Sequence, residues 1–381
     1  MTQRDIYFVA NEVNELGGVA RWQTQMARLF AERGHRVTVI GIAPPEAPMD
    51  LGDNPLFDTV TLYDVRPPAR WQARTLRDRA NIVARQREAA RVAGMREAAH
   101  RLSGLFRAAP AGAMIIVTQV WAMEWVALAD TAGHPVIGMS HESYESTRQS
   151  SRFQRVQKYY KDVDRLLVLT QEDADLWVGK GLNNTGFMAN PLPVMPESAS
   201  PRTEKVVCSI GRLGHEKAID MLLDAWAEAA PDNPGWRLRI YGSGPDEAAL
   251  KAQCTGLGLD DSVEWAGQTS DVVGALHGSS VFVQSSRGEG FPLALLEAMA
   301  CGVPCAAFDC APGVHEIIQD GVDGLLARPG NTSELARQMS RLMADADLRD
   351  SMGDAARANV QRYSPQAITD RWEQLFAFLE R

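Results

Sequence analysis

Two glutamates stand eight positions apart in SSRGEGFPLALLEAMACGVP (285–304): Glu289 between two glycines, and Glu297 inside the apolar run that follows. The run before them, VFVQSS (281–286), is apolar and β-branched and reads as a buried strand, after which Gly288 and Gly290 free the backbone to turn. Pro292 suits the first position of a helix, where its missing N–H is no loss, so Glu297 falls about one and a half turns inside it. The unpaired amides at such a helix start favour an anion. Carboxylates that accept from hydroxyls on either side of an anion site suit a ligand that is polyol at both ends and phosphate in the middle. A nucleotide sugar has that form. The plainer alternative is that Glu297 pairs locally and Glu289 is a solvated loop residue.

Other residues supply counterparts. SIGRLGHEK (209–217) carries Arg212 and Lys217 in a turn after a strand, and two fixed cations there suit a pyrophosphate leaving group. NELGGVARW (14–22) sets Gly17 and Gly18 before a helix, which fits either close backbone approach to a ligand or a plain tight turn. His141, in SHES, ends a strand and is either a structural hydrogen bonder or a donor near a reacting carbon. YGSGP (241–245) looks like part of a dinucleotide fingerprint, but Glu247 stands where the third glycine belongs. The Asp-x-Asp triplets at 173/175 and 345/347 fall in helical stretches and read as solvated faces, not metal sites.

These residues need two platforms. Strand and helix patterns alternate throughout, as in parallel sheets covered on both faces. In the first half the strands are read at 5–10, 36–42, 60–65, 114–119, 135–140 and 165–170. A second series follows at 205–211, 236–242, 263–267, 281–286, 303–308 and 324–327. Between the series lies NPLPVMPESASP (190–201), whose proline and serine read as a linker. The expected domains are 1–190 joined by the closing helix 365–381, a linker at 191–203, and 204–364. Ser364-Pro365 starts that closing helix as a cap and first position. Two doubly wound α/β domains place ligands at the carboxyl ends of their strands, in the cleft they face.

The length of 381 residues fits two such domains. A net charge of −9 argues against a nucleic-acid binder. The charge is uneven, however: Arg66 to Arg107 holds eleven arginines against Asp78, Glu88 and Glu97, an excess of +8 that leaves −17 elsewhere. Read as a helix, this segment has a stripe of Ala69, Ala73, Leu76, Ala80 and Val83. Such a helix suits docking on an anionic membrane surface or guiding an anionic acceptor, and equally a solvated salt-bridged face. Five cysteines (208, 254, 301, 305, 310), all in the second half, argue against a disulfide framework and for a reducing compartment. Cys301, Cys305, Cys310 and His315 read as scattered small residues, not a metal cluster. Arg4 and Asp5 precede only five apolar residues, so no signal peptide is expected, and no apolar run is long enough for a membrane span.

Together these motifs resemble family 4 of the retaining glycosyltransferases, with the two-domain GT-B fold. The resemblance rests on GGV (17–19), SIGRLGHEK, IYGSGP (240–245), the glutamate pair with its GFP and EAMA context, and AFDCAPGVHEIIQDGVDGLL (307–326). Ala218 departs from it, since the family usually has Gly after Glu-Lys. The resemblance implies that Arg212 and Lys217 hold the donor diphosphate, Glu297 the ribose hydroxyls and Glu289 hydroxyls of the transferred sugar. Gly290, Phe291, Pro292 and Leu293 would line sugar and phosphates, with Gly17, Gly18 and His141 completing the far side. It further implies metal-independent, front-face transfer of a hexose of glucose or N-acetylglucosamine type from a UDP-sugar, without another cofactor. The acceptor would be a lipid-linked, polyol-phosphate or other cell-surface glycan, such as a teichoic acid. The expected location is the cytoplasm, peripheral on the inner face of the membrane. The same fold serves nucleotide-sugar epimerases and GDP-mannose transferases, which stay open as alternatives, as does a catalytically silent binding subunit. An NAD-dependent dehydrogenase is disfavoured by the lack of a complete G-x-G-x-x-G.

Overall fold

The structure, a computed structural model, describes residues 3–15, 17–52, 55–71, 73, 75, 78 and 80–380. The chain divides into two compact units, one formed by residues up to Met188 together with Thr369 onward, the other by Ala189–Ile368. Each holds one parallel sheet, and the fold is GT-B.

The first unit has strands β1 (Asp5–Glu12), β2 (Arg36–Ala43), β3 (Asp58–Thr61), β4 (Met114–Val117), β5 (Val136–Met139), β6 (Arg165–Val168) and β7 (Thr185–Phe187). Their order across the sheet is β3-β2-β1-β4-β5-β6-β7, so the winding direction reverses between β1 and β4. β4 reads Met-Ile-Ile-Val and is buried at every residue, as a strand covered on both faces must be. β7 was not expected. It is three residues long and contains Gly186, too short and too plain to carry a pattern.

Helices of this unit are α1 (Gly18–Glu32), α2 (Ile82–Ala108), α3 (Met123–Val126), α4 (Tyr144–Arg148), α5 (Arg152–Tyr159) and α6 (Gln171–Val178). In α1, Trp22, Met26 and Phe30 recur every four residues and are buried, which docks the helix on the sheet and fixes its start beside the end of β1. The chain's last helix, Pro365–Leu379, sends Trp372 and Phe376 onto the same ring cluster, with Phe30 to Phe376 at 5.5 Å and Phe30 to Trp372 at 6.0 Å. Arg4 to Glu380 at 2.7 Å and Arg33 to Asp370 at 2.8 Å hold its rim.

The second unit has β8 (Val206–Ile210), β9 (Arg237–Tyr241), β10 (Val263–Gly267), β11 (Val281–Gln284), β12 (Cys305–Phe308) and β13 (Gly324–Ala327), in the order β10-β9-β8-β11-β12-β13. Winding reverses between β8 and β11, the place where an open α/β sheet accepts a ligand. Its helices are α7 (Ile219–Ala229), α8 (Glu247–Gly256), α9 (Val272–His277), α10 (Leu293–Ala300), α11 (Pro312–Ile317), α12 (Thr332–Ala344) and α13 (Ala346–Asn359), after which the chain returns to the first unit in α14, the Pro365–Leu379 helix. The segment at 190–201 is packed within this unit: Leu192 N donates to Tyr363 O at 2.7 Å and Ser200 N to Cys301 O at 2.6 Å. Among the described residues no helix is long and apolar enough to cross a membrane.

The turn after β9 explains the incomplete dinucleotide fingerprint. Leu213 N donates to Ser243 O at 2.9 Å and Gly211 N to Tyr241 O at 3.0 Å, so the YGSGP turn lies directly on the turn after β8. A Cβ on Gly242 would stand 1.9 Å from Gly211 O, and one on Gly244 2.2 Å from Leu213 O. These glycines therefore let one backbone support another, the one that carries Arg212. Replacing Gly244 by Ala should destabilise the unit by about 1–3 kcal/mol through forced backbone displacement. Urea denaturation of the variant checks this, and an unchanged midpoint would contradict it.

Candidate functional site

The turn after β8 and the loop after β11 meet at the reversal in the second sheet. Lys217 Nζ donates to Glu289 Oε1 at 2.6 Å, joining the cation of one loop to the carboxylate of the other. Ser286 Oγ donates to the same oxygen at 2.6 Å. Oε2 of Glu289 has no hydrogen-bond partner among the described residues. Arg287 fastens the loops from outside, with Nη1 to His215 O at 2.7 Å and Nη2 to Asp220 Oδ2 at 2.5 Å. Burial pushes the Asp220 carboxyl up, but the Arg287 guanidinium outweighs it and holds it below its ordinary value. Ser286, Arg287 and Asp220 were missed in the sequence, where nothing marks a serine or an ion pair 67 positions apart as part of one site.

Ala218 sits at φ 50, ψ 44, in the left-handed region, and is buried. That is the physical reason a glycine suits this position, and the alanine carries a local backbone cost of roughly 1–2 kcal/mol. Arg212 is exposed and forms no ion pair among the described residues. Cys310 lies close enough to feel both Glu289 and Lys217, and burial pushes its thiol up to about 12, so it stays protonated beside them.

α10 begins at Leu293, and Pro292 is its cap with φ −72 and ψ 104, one position earlier in the helix scheme than expected. Leu295, Leu296, Ala298 and Met299 are buried and turn Glu297 toward a pocket of about 200 Å³ lined by Val194, Pro196, Ser270, Asp271 and Val272. Phe291 is buried and packs edge-on against Tyr363 at 5.3 Å. A Cβ on Gly313 of α11 would stand 2.2 Å from Gly290 O, so α11 buttresses the loop that runs from Glu289 into α10.

In the first unit, Gly17 caps α1 with no side-chain hydrogen bond, and a Cβ on Gly17 or Gly18 would meet nothing within 4 Å. Packing within the chain does not require these glycines; room beside the helix start remains. His141 follows β5, with its ring 4.6 Å from that of Trp22. Its Nε2 is shielded and has no hydrogen-bond partner among the described residues. Burial lowers its pKa to about 4, so the imidazole is neutral at pH 7. His141 lines a pocket of about 490 Å³ that also meets Val19 of α1, Trp121 and Arg155. Gly17, Gly18 and His141 belong to the first unit; Arg212, Lys217, Glu289, Gly290, Phe291, Pro292, Leu293 and Glu297 belong to the second.

The arginine-rich segment is not one amphipathic helix. Residues 66–71 are irregular, with Ala69 exposed, and α2 starts only at Ile82, where the Asn81 side chain accepts from Ala84 N. Val83 is 57% exposed, while Met95, Ala98, Leu102 and Phe106 form the buried face. The expected stripe of Ala69, Ala73, Ala80 and Val83 therefore packs no core; Leu76, like Arg74, Arg77 and Arg79, lies outside the described residues. Pro67-Pro68 removes two backbone donors just upstream, and alanines gain too little by burial to compensate. Arg66, Arg91, Arg101 and Arg107 are bonded to Glu12, Glu88, Leu62 O and Asp130.

In the Asp-x-Asp triplets, Asp175, Asp345 and Asp347 are exposed, as solvated faces are, and only Asp173 departs from that reading. Asp173 is buried, bonded to Thr170 Oγ1 at 2.8 Å and to Tyr144 N at 2.7 Å, and Asp345 caps α13 by accepting from Leu348 N. All five cysteines are free; four are buried and Cys310 is half-buried. His315 pairs with Asp309 at 2.6 Å. Among the described residues no three His, Cys, Asp or Glu side chains are grouped to hold a metal ion.

Residues 194–359 match the family model described as glycosyl transferases group 1. The exopolysaccharide phosphotransferase SCO2592 of Streptomyces coelicolor is 37% identical over 258 residues, 66% of this chain and 27% of that protein. An uncharacterised glycosyltransferase of Haemophilus influenzae is 34% identical over 212 residues, 55% of this chain and 60% of that protein. The aligned region thus spans about a quarter of the first relative and three-fifths of the second. Among solved structures, S. aureus TarM, as a variant in complex with fondaparinux, α-GlcNAc-glycerol and UDP, superposes with a TM-score of 0.77 at 14% identity, covering 98% of this chain and 100% of that one.

The position of His141 carries a pH signature. Its folded pKa lies below the unfolded value of 6.5, so the unfolded chain takes up the proton more readily. Stability should be full above pH 6.5 and decline as pH falls toward 4. His141→Gln should flatten that decline, as followed by thermal unfolding across pH; an identical slope in the variant would contradict the assignment.

Proposed function

Given that residues 194–359 belong to the glycosyl transferases group 1 family, we propose that the whole chain moves a hexose from a UDP-sugar to a hydroxyl of a cell-surface glycan or its lipid-linked or polyol-phosphate precursor. The observation that carries this reading is the joined pair Lys217–Glu289 at the sheet reversal, with Glu289 Oε2 uncommitted and Arg212 unpaired among the described residues. Glu289 gives one oxygen to Lys217 and Ser286 and offers the other to a sugar hydroxyl. An ammonium has three protons to donate, so Lys217 can hold Glu289 and still reach diphosphate oxygens. Arg212 adds a second, planar cation for the same group. Glu297 takes the ribose hydroxyls, and the pocket beside it at Ser270–Val272 takes the base.

Transfer then proceeds on one face of the sugar. The bond from the anomeric carbon to the diphosphate oxygen breaks, and the electron pair leaves with UDP, whose charge Arg212 and Lys217 offset. The acceptor oxygen forms its bond to that carbon from the same side and loses its proton to a donor phosphate oxygen. Configuration is retained, no side chain acts as a strong base, and neither a divalent metal nor a cofactor takes part. On the first unit, neutral His141 and the backbone of the Gly17–Gly18 turn are the hydrogen-bonding groups we assign to the reaction. The TarM complex, which contains UDP and α-GlcNAc-glycerol, supports a UDP-linked donor of glucose or N-acetylglucosamine type. We place the reaction in the cytoplasm, at the inner face of the membrane.

Lys217→Ala and Glu289→Ala should each lower turnover of the preferred UDP-sugar by on the order of 10²-fold or more, with thermal unfolding little changed. Near-normal turnover in both would contradict the proposal. An NMR time course with donor alone separates the alternative, since an epimerase interconverts the donor without an acceptor.

A further inference from the structure

The 490 Å³ pocket of the first unit lies within the size range of small-molecule sites, roughly 300–1,000 Å³. Its wall presents five arginines (66, 70, 91, 152 and 155) against two glutamates, Glu124 and Glu142. Most of these cations are partly committed. Arg66 bonds Glu12, with Glu46 at 3.4 Å; Arg91 bonds Glu88 at 2.7 Å; Arg152 bonds Glu142. Arg155 pairs with Glu124 at the longer distance of 3.6 Å and is 40% exposed, and Arg70 forms no ion pair or hydrogen bond among the described residues. Asn11 and Gln119 add amide groups to the wall, and the half-buried Trp121 adds an aromatic surface. His141 and Val19 close the same wall, next to the start of α1.

Fixed charged pairs, amides and an indole ring suit a pyranose, with its rim of hydroxyls and its apolar C–H face. The spare guanidinium capacity asks for an anion as well. Resting on the glycosyltransferase reading, we infer that this pocket binds the acceptor and selects a sugar-sized group bearing a carboxylate or phosphate, which Arg70 and Arg155 recognise. The acidic group sits on the acceptor, distinct from the diphosphate of the donor that the second unit holds.

The test is binding of three probes to the full chain by calorimetry: methyl α-glucuronide, glucose 6-phosphate and neutral methyl α-glucoside. UDP is titrated separately as a reporter of the second unit. At least one anionic probe should bind about tenfold tighter than the neutral glucoside, and R70Q/R155Q should erase that preference while leaving UDP affinity unchanged. Which anion wins distinguishes carboxylate from phosphate. If the double variant unfolds, R70Q alone is used, since its side chain holds no ion pair, and a severalfold loss is expected. Equal binding of all three probes, a preference that survives the substitutions, or no binding of either anion would overturn the inference. UDP failing to bind the natural sequence would instead overturn the glycosyltransferase reading, and is read apart from the sugar probes.

Discussion

The contact between Lys217 and Glu289 is the constraint on which the candidate donor site depends. Their loops leave β8 and β11, which are neighbours in the sheet but more than 70 positions apart in the chain, so the pair exists only once the parallel sheet has formed. Lys217 is one-third exposed and Glu289 nearly buried, which makes the pair a modest contributor to stability. Its consequence is orientation. It fixes one carboxylate oxygen and one ammonium proton, and so decides where the remaining oxygen and protons point.

Much of the second unit serves to keep those two loops still. Gly242 and Gly244 let the turn after β9 lie on the backbone on either side of Arg212, and Gly313 lets α11 press on Gly290. Ser285 Oγ donates to the carbonyls of Lys217 and Ala218 at 3.0 Å each. The left-handed Ala218 shows the same demand from the opposite side: the chain accepts a backbone cost there to turn from Lys217 into α7. Preorganised charge of this kind is what stabilises a departing diphosphate at little reorganisation cost.

The residues of the candidate site could be singled out because type and place coincide. Glu289, Arg212 and Lys217 are charged residues just past apolar strands, where an α/β sheet leaves little room for them except in a site. Strands with strong apolar runs, such as β4 and β11, were equally plain, whereas β7 has only Thr-Gly-Phe and left no trace. The arginine segment misled because an alanine stripe has helical spacing without the burial to enforce it. Asp173 has a signal in the sequence: Thr170-Gln171-Glu172-Asp173 has the spacing of a capping box, and its side chain closes on Thr170. The first unit's pocket was not legible, since it joins the end of β5, α3, α5 and the irregular 66–70 stretch, which only the fold brings together.

Division of labour follows from the geometry: the second unit offers cations and carboxylates suited to a diphosphate between two polyols, the first a mixed charged and aromatic pocket beside a neutral imidazole. The most direct measurement compares the affinity of UDP and of the preferred UDP-sugar for the natural chain and for Glu289→Gln, by calorimetry. The account predicts unchanged UDP affinity in the variant and loss of the added affinity that the sugar contributes, by about tenfold. A variant that keeps the full sugar contribution, or loses UDP and UDP-sugar alike, would contradict the placement of the sugar at Glu289.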